Sequence, residues 1–147
     1  MAPTELTLEL VHVPVSDIDR AKRFYEEGCG FTVDLDMEPA PGIRMVQLTP
    51  PGSRCSIALT SSVFPRPNGQ PAPEPGSVHG LQLCTTDIAA TRAALVAGGV
   101  DASEVMHTGE NGWVEGPGRE WNSFVFFRDP DGNSWAVQEA PTPLAER

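Results

Sequence analysis

The chain is poor in most features that would declare a function at once. Its three cysteines, Cys29, Cys55 and Cys84, lie far apart among 147 residues and form no C-x-x-C pair. That leaves no disulfide framework and no thiolate zinc site, and a reducing cytoplasm suits such a chain. Cationic residues are scarce: ten Lys plus Arg stand against twenty Asp plus Glu, a formal net charge of −10. A surface that acidic repels nucleic acid and anionic membrane, so neither is expected as a partner. No apolar run approaches the length of a membrane-spanning helix. Met1 to Glu9 shows no basic stretch leading into an apolar one, so no secretory signal is expected. No Gly-rich phosphate loop, H-E-x-x-H motif or Ser-His-Asp order is present. No cysteine has an electropositive setting, so nucleophilic catalysis has no visible support.

What the sequence has is a repeat. Segments 6–31 and 78–100 align when Asp17 is set on Asp87. Each gives a strand-like apolar stretch, a Ser-Asp-Ile or Thr-Asp-Ile, about three helical turns, and a glycine stop. Ser16 and Thr86, or the Asp after each, can cap the open N–H groups of the helix. Ile18, Ala21, Phe24 and Tyr25 share one helical face; Ile88, Thr91, Ala94 and Leu95 share another. Gly28 and Gly98 stand where a left-handed cap is expected. After each helix come three short strand-like runs: 31–37, 43–48 and 55–59, then 105–107, 123–127 and 134–138. Asp129-Pro130-Asp131-Gly132-Asn133 is a strong turn signal before the last run. Prolines at 65, 67, 71, 73 and 75 make the stretch between the halves a stiff exposed linker. The expected layout is therefore a βαβββ module over 6–64, a linker over 65–77 and a second βαβββ module over 78–140.

Two such modules resemble the vicinal oxygen chelate superfamily, which includes glyoxalase I, extradiol dioxygenases and bleomycin resistance proteins. The resemblance covers about residues 6–140. It rests most on Val13-Pro14-Val15-Ser16-Asp17-Ile18 leading to Phe24-Tyr25 and Gly30-Phe31, and on Phe127 to Asn133. It implies an α+β glyoxalase-like fold, with the two modules forming a curled mixed sheet around a central cavity, often with a divalent metal at its base. It also implies a homodimer. It does not choose a reaction, because one fold hosts many functions.

In the family, metal ligands lie on the first and last strands of each module. By the family's spacing from the capping Asp and from the D-P-D-G-N turn, three of these positions fall on Leu10, Gly80 and Ala136. The fourth falls within Cys55–Thr60, which has no acid and no His. No metal and no other cofactor is therefore expected, since hard divalent ions need imidazole or carboxylate. Strand alternation turns His79 and Glu139 away from the cavity, although a bulge would bring His79 back. His12, Gln82 and Gln138 each stand two residues past a ligand position, on the cavity side. They would offer a small molecule one imidazole and two amides, or else satisfy one another and buried water.

Gly109–Glu120 carries four glycines and a proline and is expected to be a loop. Trp113 within it and Trp121 beside it offer stacking surfaces for a flat ligand. Phe124 and Phe126 alternate with Val125 and Phe127, so one face lines the cavity and the other packs on a helix; Trp135 is core. His107 is expected to be a solvated loop residue, and Arg44, Arg54 and Arg119 solvated cations. The ligand-binding candidates are His12, Gln82, Gln138, Trp113 and Trp121. Three readings stay open. One is a metal-free protein holding a small aromatic or amphipathic molecule in the inter-module cavity, as in drug sequestration. Another is a lyase, isomerase or dioxygenase-type enzyme using His12 as catalytic acid or base, or a displaced divalent metal. The third is a structural or regulatory domain with a filled cavity.

Overall fold

A computed structural model describes residues 1–142, and its elements follow the two halves of the repeat. The first half gives β1 (Leu10–Pro14), α1 (Ile18–Arg23), β2 (Thr32–Ala40), β3 (Ile43–Thr49) and β4 (Ser56–Thr60). The second gives β5 (Leu81–Thr85), α2 (Ile88–Ala97), β6 (Met106–Gly109), β7 (Gly112–Glu115), β8 (Phe124–Arg128) and β9 (Ser134–Glu139). The strands make a four-stranded sheet, β1-β4-β3-β2, and a five-stranded sheet, β5-β9-β8-β6-β7. β1 and β4 run parallel, as do β5 and β9; the other neighbours are antiparallel. The fold is the expected α+β class. Contacts divide the chain into two compact units, one from Met1 to Pro75 and one from Gly76 onward.

Both helices start on the aspartate rather than on the hydroxyl before it. Asp17 accepts the Arg20 N–H and Asp87 the Ala90 N–H, each at 3.0 Å. A carboxylate there satisfies an open donor and also favours the positive end of the helix dipole. The helices end differently from expectation. Gly98 keeps a negative φ, and the left-handed residue is Gly99 at φ +87°. Val100 N–H returns to Leu95 O and Gly99 N–H to Val96 O, the paired bonds of a Schellman stop. In the first unit α1 widens into a π turn over Phe24–Gly28, where Cys29 N–H reaches Phe24 O at 3.0 Å. The extra residue moves the left-handed position from Gly28 to Gly30, at φ +76°.

The stretch expected as one loop over 109–120 is partly a hairpin. Thr108 pairs with Trp113 and Gly109 with Gly112 around a two-residue corner, and Gly112 sits at φ +112°. Gly112 there supplies a conformation that L side chains rarely adopt, so it marks the corner and not an irregular run. The linker is not wholly extended either: Pro67–Gly69 makes a single 3-10 turn closed by Gln70 N–H on Pro67 O.

Each sheet packs one face against its helix. In the first unit Val13, Val46, Leu48 and Leu59 are fully buried with Ala21 and Tyr25 of the helical segment. In the second, Val125, Phe127, Trp135 and Val137 are buried with Ile88 and Leu95 of α2, whereas Ala94 is exposed. Phe127 and Trp135 stack in parallel at 6.0 Å. The Asp129–Asn133 turn clasps the entry to β5. Asp129 Oδ1 accepts the N–H groups of Asp131, Gly132 and Asn133, and Asn133 Nδ2 donates to Asp129 Oδ2 at 2.7 Å. The fully buried Asn133 then accepts the Val78 N–H at 3.0 Å. Gly76 is obligatory beside it, since a Cβ there would lie 2.0 Å from Asp131 O.

Candidate functional site

The pairing register fixes what the open face of the five-stranded sheet presents. Gln82 pairs with Ala136 and Ala136 with Phe126; Cys84 pairs with Gln138 and Gln138 with Phe124. Paired residues share a face, so the two glutamines and two phenylalanines lie together, opposite the buried Trp135 and Val137. The Phe124 and Phe126 rings are parallel, 6.1 Å apart. Trp113 from β7 meets both edge-on, at 5.2 and 5.0 Å, while staying half exposed. Edge-to-face contacts hold the indole without covering it.

The glutamines carry a hydrogen-bond chain across this face. Gln82 Nε2 donates to Gln138 Oε1 at 2.8 Å, and Gln138 Nε2 donates to the Trp121 carbonyl at 2.7 Å. That second bond fixes an unusual backbone. Trp121 sits at φ +66°, a left-handed conformation that costs a bulky L residue about 1 kcal/mol. Asn122 holds the same loop to β6, accepting from the Thr108 N–H at 2.9 Å and donating to the Thr108 carbonyl at 3.0 Å. Gly118 lets the loop lie close: a Cβ there would sit 2.8 Å from the His107 Cβ. Asn122 has no motif around it, and its role was invisible in the sequence. A cavity of about 810 Å³ adjoins the same sheet, lined among others by Gly80, Ser103, Phe126, Arg128 and Ala136.

His12 is exposed on β1 of the first unit, where its ring lies 6.0 Å from that of Phe64. The structure thus joins Gln82, Gln138 and Trp121 by hydrogen bonds, gathers Trp113 onto the paired phenylalanines, and sets His12 against a different aromatic residue. His107 corrects the expectation of a solvated loop histidine. It is half-buried in β6, and its Nδ1 lies 2.8 Å from Gly116 O. His79 is exposed, with Nδ1 at 3.0 Å from Ser134 Oγ; Gly80 at φ +80° interrupts the alternation that governs β5. Glu139 lies on the helix side and accepts the Ile88 N–H at 2.8 Å. Arg44 is not a free cation: it bonds Asp36 through two nitrogens and Asp19 through a third.

The donor set does not fit the divalent ion common in folds of this kind. Leu10, Gly80 and Ala136, where the resemblance implies metal ligands, carry neither imidazole nor carboxylate. Among the described residues no group of three or more His, Cys, Asp or Glu converges as a metal would require. Burial, and then the charge of Glu9, pushes the Cys55 thiol up, which disfavours a thiolate.

Comparison with known proteins agrees with the geometry. The family model described as Glyoxalase/Bleomycin resistance protein/Dioxygenase superfamily matches residues 7–137. A solved structure of TnmS3, an antibiotic binding protein from Streptomyces sp. CB03234, is 32% identical. It aligns over 95% of this chain and 99% of that one, with a TM-score of 0.70. A glyoxalase/bleomycin resistance protein from the same Streptomyces is 34% identical over 90% and 100% of the two chains, with a TM-score of 0.65. A superfamily member from Sphaerobacter thermophilus DSM 20745 is 26% identical over 93% and 99%, with a TM-score of 0.70. No curated protein matches. No helix among the described residues is long and apolar enough to cross a membrane.

Proposed function

The chain belongs to the Glyoxalase/Bleomycin resistance protein/Dioxygenase superfamily, and from that premise we propose that it binds a small, flat aromatic or amphipathic organic molecule without a metal. The observation that carries this reading is the open indole of Trp113 set on two parallel phenylalanines beside an amide pair. A planar ring can stack on the exposed indole, and the Gln82 and Gln138 amides can bond a carbonyl or phenol at its edge. The likeness to an antibiotic binding protein at 32% identity supports the same class of ligand. A net charge of −10 favours neutral or cationic members of that class. A cytoplasmic homodimer completes the proposal. β1 and β2 edge one sheet, β5 and β7 the other, and such edges are places where copies pair. A monomer mass by sedimentation equilibrium would remove the dimer from this reading.

The test is tryptophan fluorescence during titration with a panel of planar aromatic antibiotics. We expect saturable quenching by at least one compound. Trp113→Ala should weaken that binding by about tenfold or more, the size of a buried aromatic contact. No quenching across the panel, or equal affinity in the variant, would overturn the reading.

A further inference from the structure

We propose a second ligand site, built wholly from residues of the first unit: a small pocket around His12, Phe64 and Arg66 that takes a single-ring aromatic carboxylate. The pocket has a volume of about 280 Å³ and lies between the end of the β1–β4 pair and the proline-rich linker. Its lining includes Thr60 and Ser61 at the end of β4, and Pro67 of the linker. All of these residues belong to the unit that ends at Pro75, so the site is complete without the aromatic face described above.

Charge selects the ligand. Arg20, Lys22, Arg44 and Arg92 are each tied to a neighbouring hydroxyl or acid. Arg66 makes no ion pair among the described residues, and no Asp or Glu lines its pocket. The His12 ring, likewise, has a ring neighbour in Phe64 but no hydrogen-bond partner among the described residues. A guanidinium and an imidazole N–H facing one small space, in a chain carrying twice as many acids as bases, are donors waiting for an anion. Two hydroxyls supply further donors.

Shape narrows the class. Phe64 and the linker prolines form apolar walls, which suit a flat ring and not a bare phosphate or sulfate. The space is at the small end for ligand pockets, which suits one ring with its carboxylate. The linker fixes the site at low entropic cost, because proline backbones lose little freedom when the ligand orders them. The repeated prolines therefore do more than separate two modules: they hold Arg66 in place.

The experiment titrates the full chain with benzoate and follows the His12 ring protons by NMR, with benzamide as the neutral isostere. Benzoate should shift the His12 signals saturably, and benzamide should bind about tenfold more weakly or not at all. Arg66→Gln should match the benzamide loss; Arg66 is exposed, so the substitution leaves the core untouched. Arg66→Lys should retain part of the affinity, since it keeps the charge but not the planar fork. Trp113→Ala should change nothing here, which separates failure of this site from failure of the aromatic face. Equal affinity for benzoate and benzamide, undiminished binding in Arg66→Gln, or no shift of His12 at saturating benzoate for the other signals would each overturn the proposal.

Discussion

In the first unit the sheet face opposite the helix carries Ser56, Ala58 and Thr60, all buried, with His12 exposed beside them. In the second unit the matching face carries Phe124, Phe126 and a half-exposed Trp113. The helix-side faces are alike in being valine, leucine and aromatic core. What the repeat conserves within this one chain is therefore the architecture: the Asp cap, the helix, the parallel pairing of its first and last strands. What it leaves free is the opposite face, where the proposed ligands would bind. The two turns before the last strands show the same division. The second unit uses a closed carboxylate–amide clasp through Asp129 and Asn133. The first uses Ser53, whose hydroxyl donates to Cys55 O at 2.8 Å, plus one backbone bond to Pro50 O.

The largest expected effect breaks that second contrast. Asn133→Ala removes a fully buried amide, and with it the acceptor of the Val78 N–H and a bond to Asp129 Oδ2. Losing both bonds from a fully buried side chain should cost about 2–4 kcal/mol. Ser53→Ala, in the corresponding turn, should cost under about 1 kcal/mol because its bonds are only partly buried. Urea unfolding of the two variants decides it. Equal costs would mean the clasp is no more structural than the serine turn.

The helix starts allow a finer comparison. α1 has six residues and Asp17 as its side-chain cap. α2 has ten, and receives Asp87 on Ala90 N–H and Glu139 on Ile88 N–H. Asp17→Ala should therefore cost about 1 kcal/mol, and Asp87→Ala less, since Glu139 still satisfies one donor. A larger loss for Asp87→Ala by the same unfolding measurement would show that the two caps of α2 do not back each other up.

Much of this plan was legible in the sequence because local chemistry and global fold agree there. Asp17 and Asp87 sit before apolar helical faces, and Asp129 to Asn133 spells a turn whatever surrounds it. The hairpin over Met106–Glu115 was not legible. Glycines at 109 and 112 look like flexibility until pairing shows that they flank a two-residue corner. The π turn in the first helical segment was hidden for a similar reason: no residue type announces an extra residue in a turn, and it moved the glycine stop from 28 to 30. Of the candidate site, the matched register of Gln82 and Gln138 was readable from strand alternation. Their bond to the Trp121 carbonyl was not, since it depends on a left-handed tryptophan that no propensity predicts. Arg66 lay unnoticed in the linker because prolines there suggested a spacer only.

The smallest effect separates the units electrostatically. In the first, Arg44 and Lys22 converge on Asp36, and the Arg44 hydrogen bond first, with that of Lys22 after it, holds the Asp36 carboxyl well below the usual carboxylate range against the pull of burial. A depressed folded value stabilises above the unfolded value of about 3.9 and loses that contribution as pH falls from there toward the folded value. The second unit has no comparable cluster among the described residues; its Arg92–Glu104 pair is longer, at 3.2 Å. Asp36 lies near the surface, so solvent screening limits its worth at neutral pH to below about 1 kcal/mol. Urea midpoints measured across the acid range should fall less steeply in Asp36→Asn than in the parent chain. An unaltered slope in Asp36→Asn would place the acid sensitivity outside this cluster and remove the electrostatic difference between the two units.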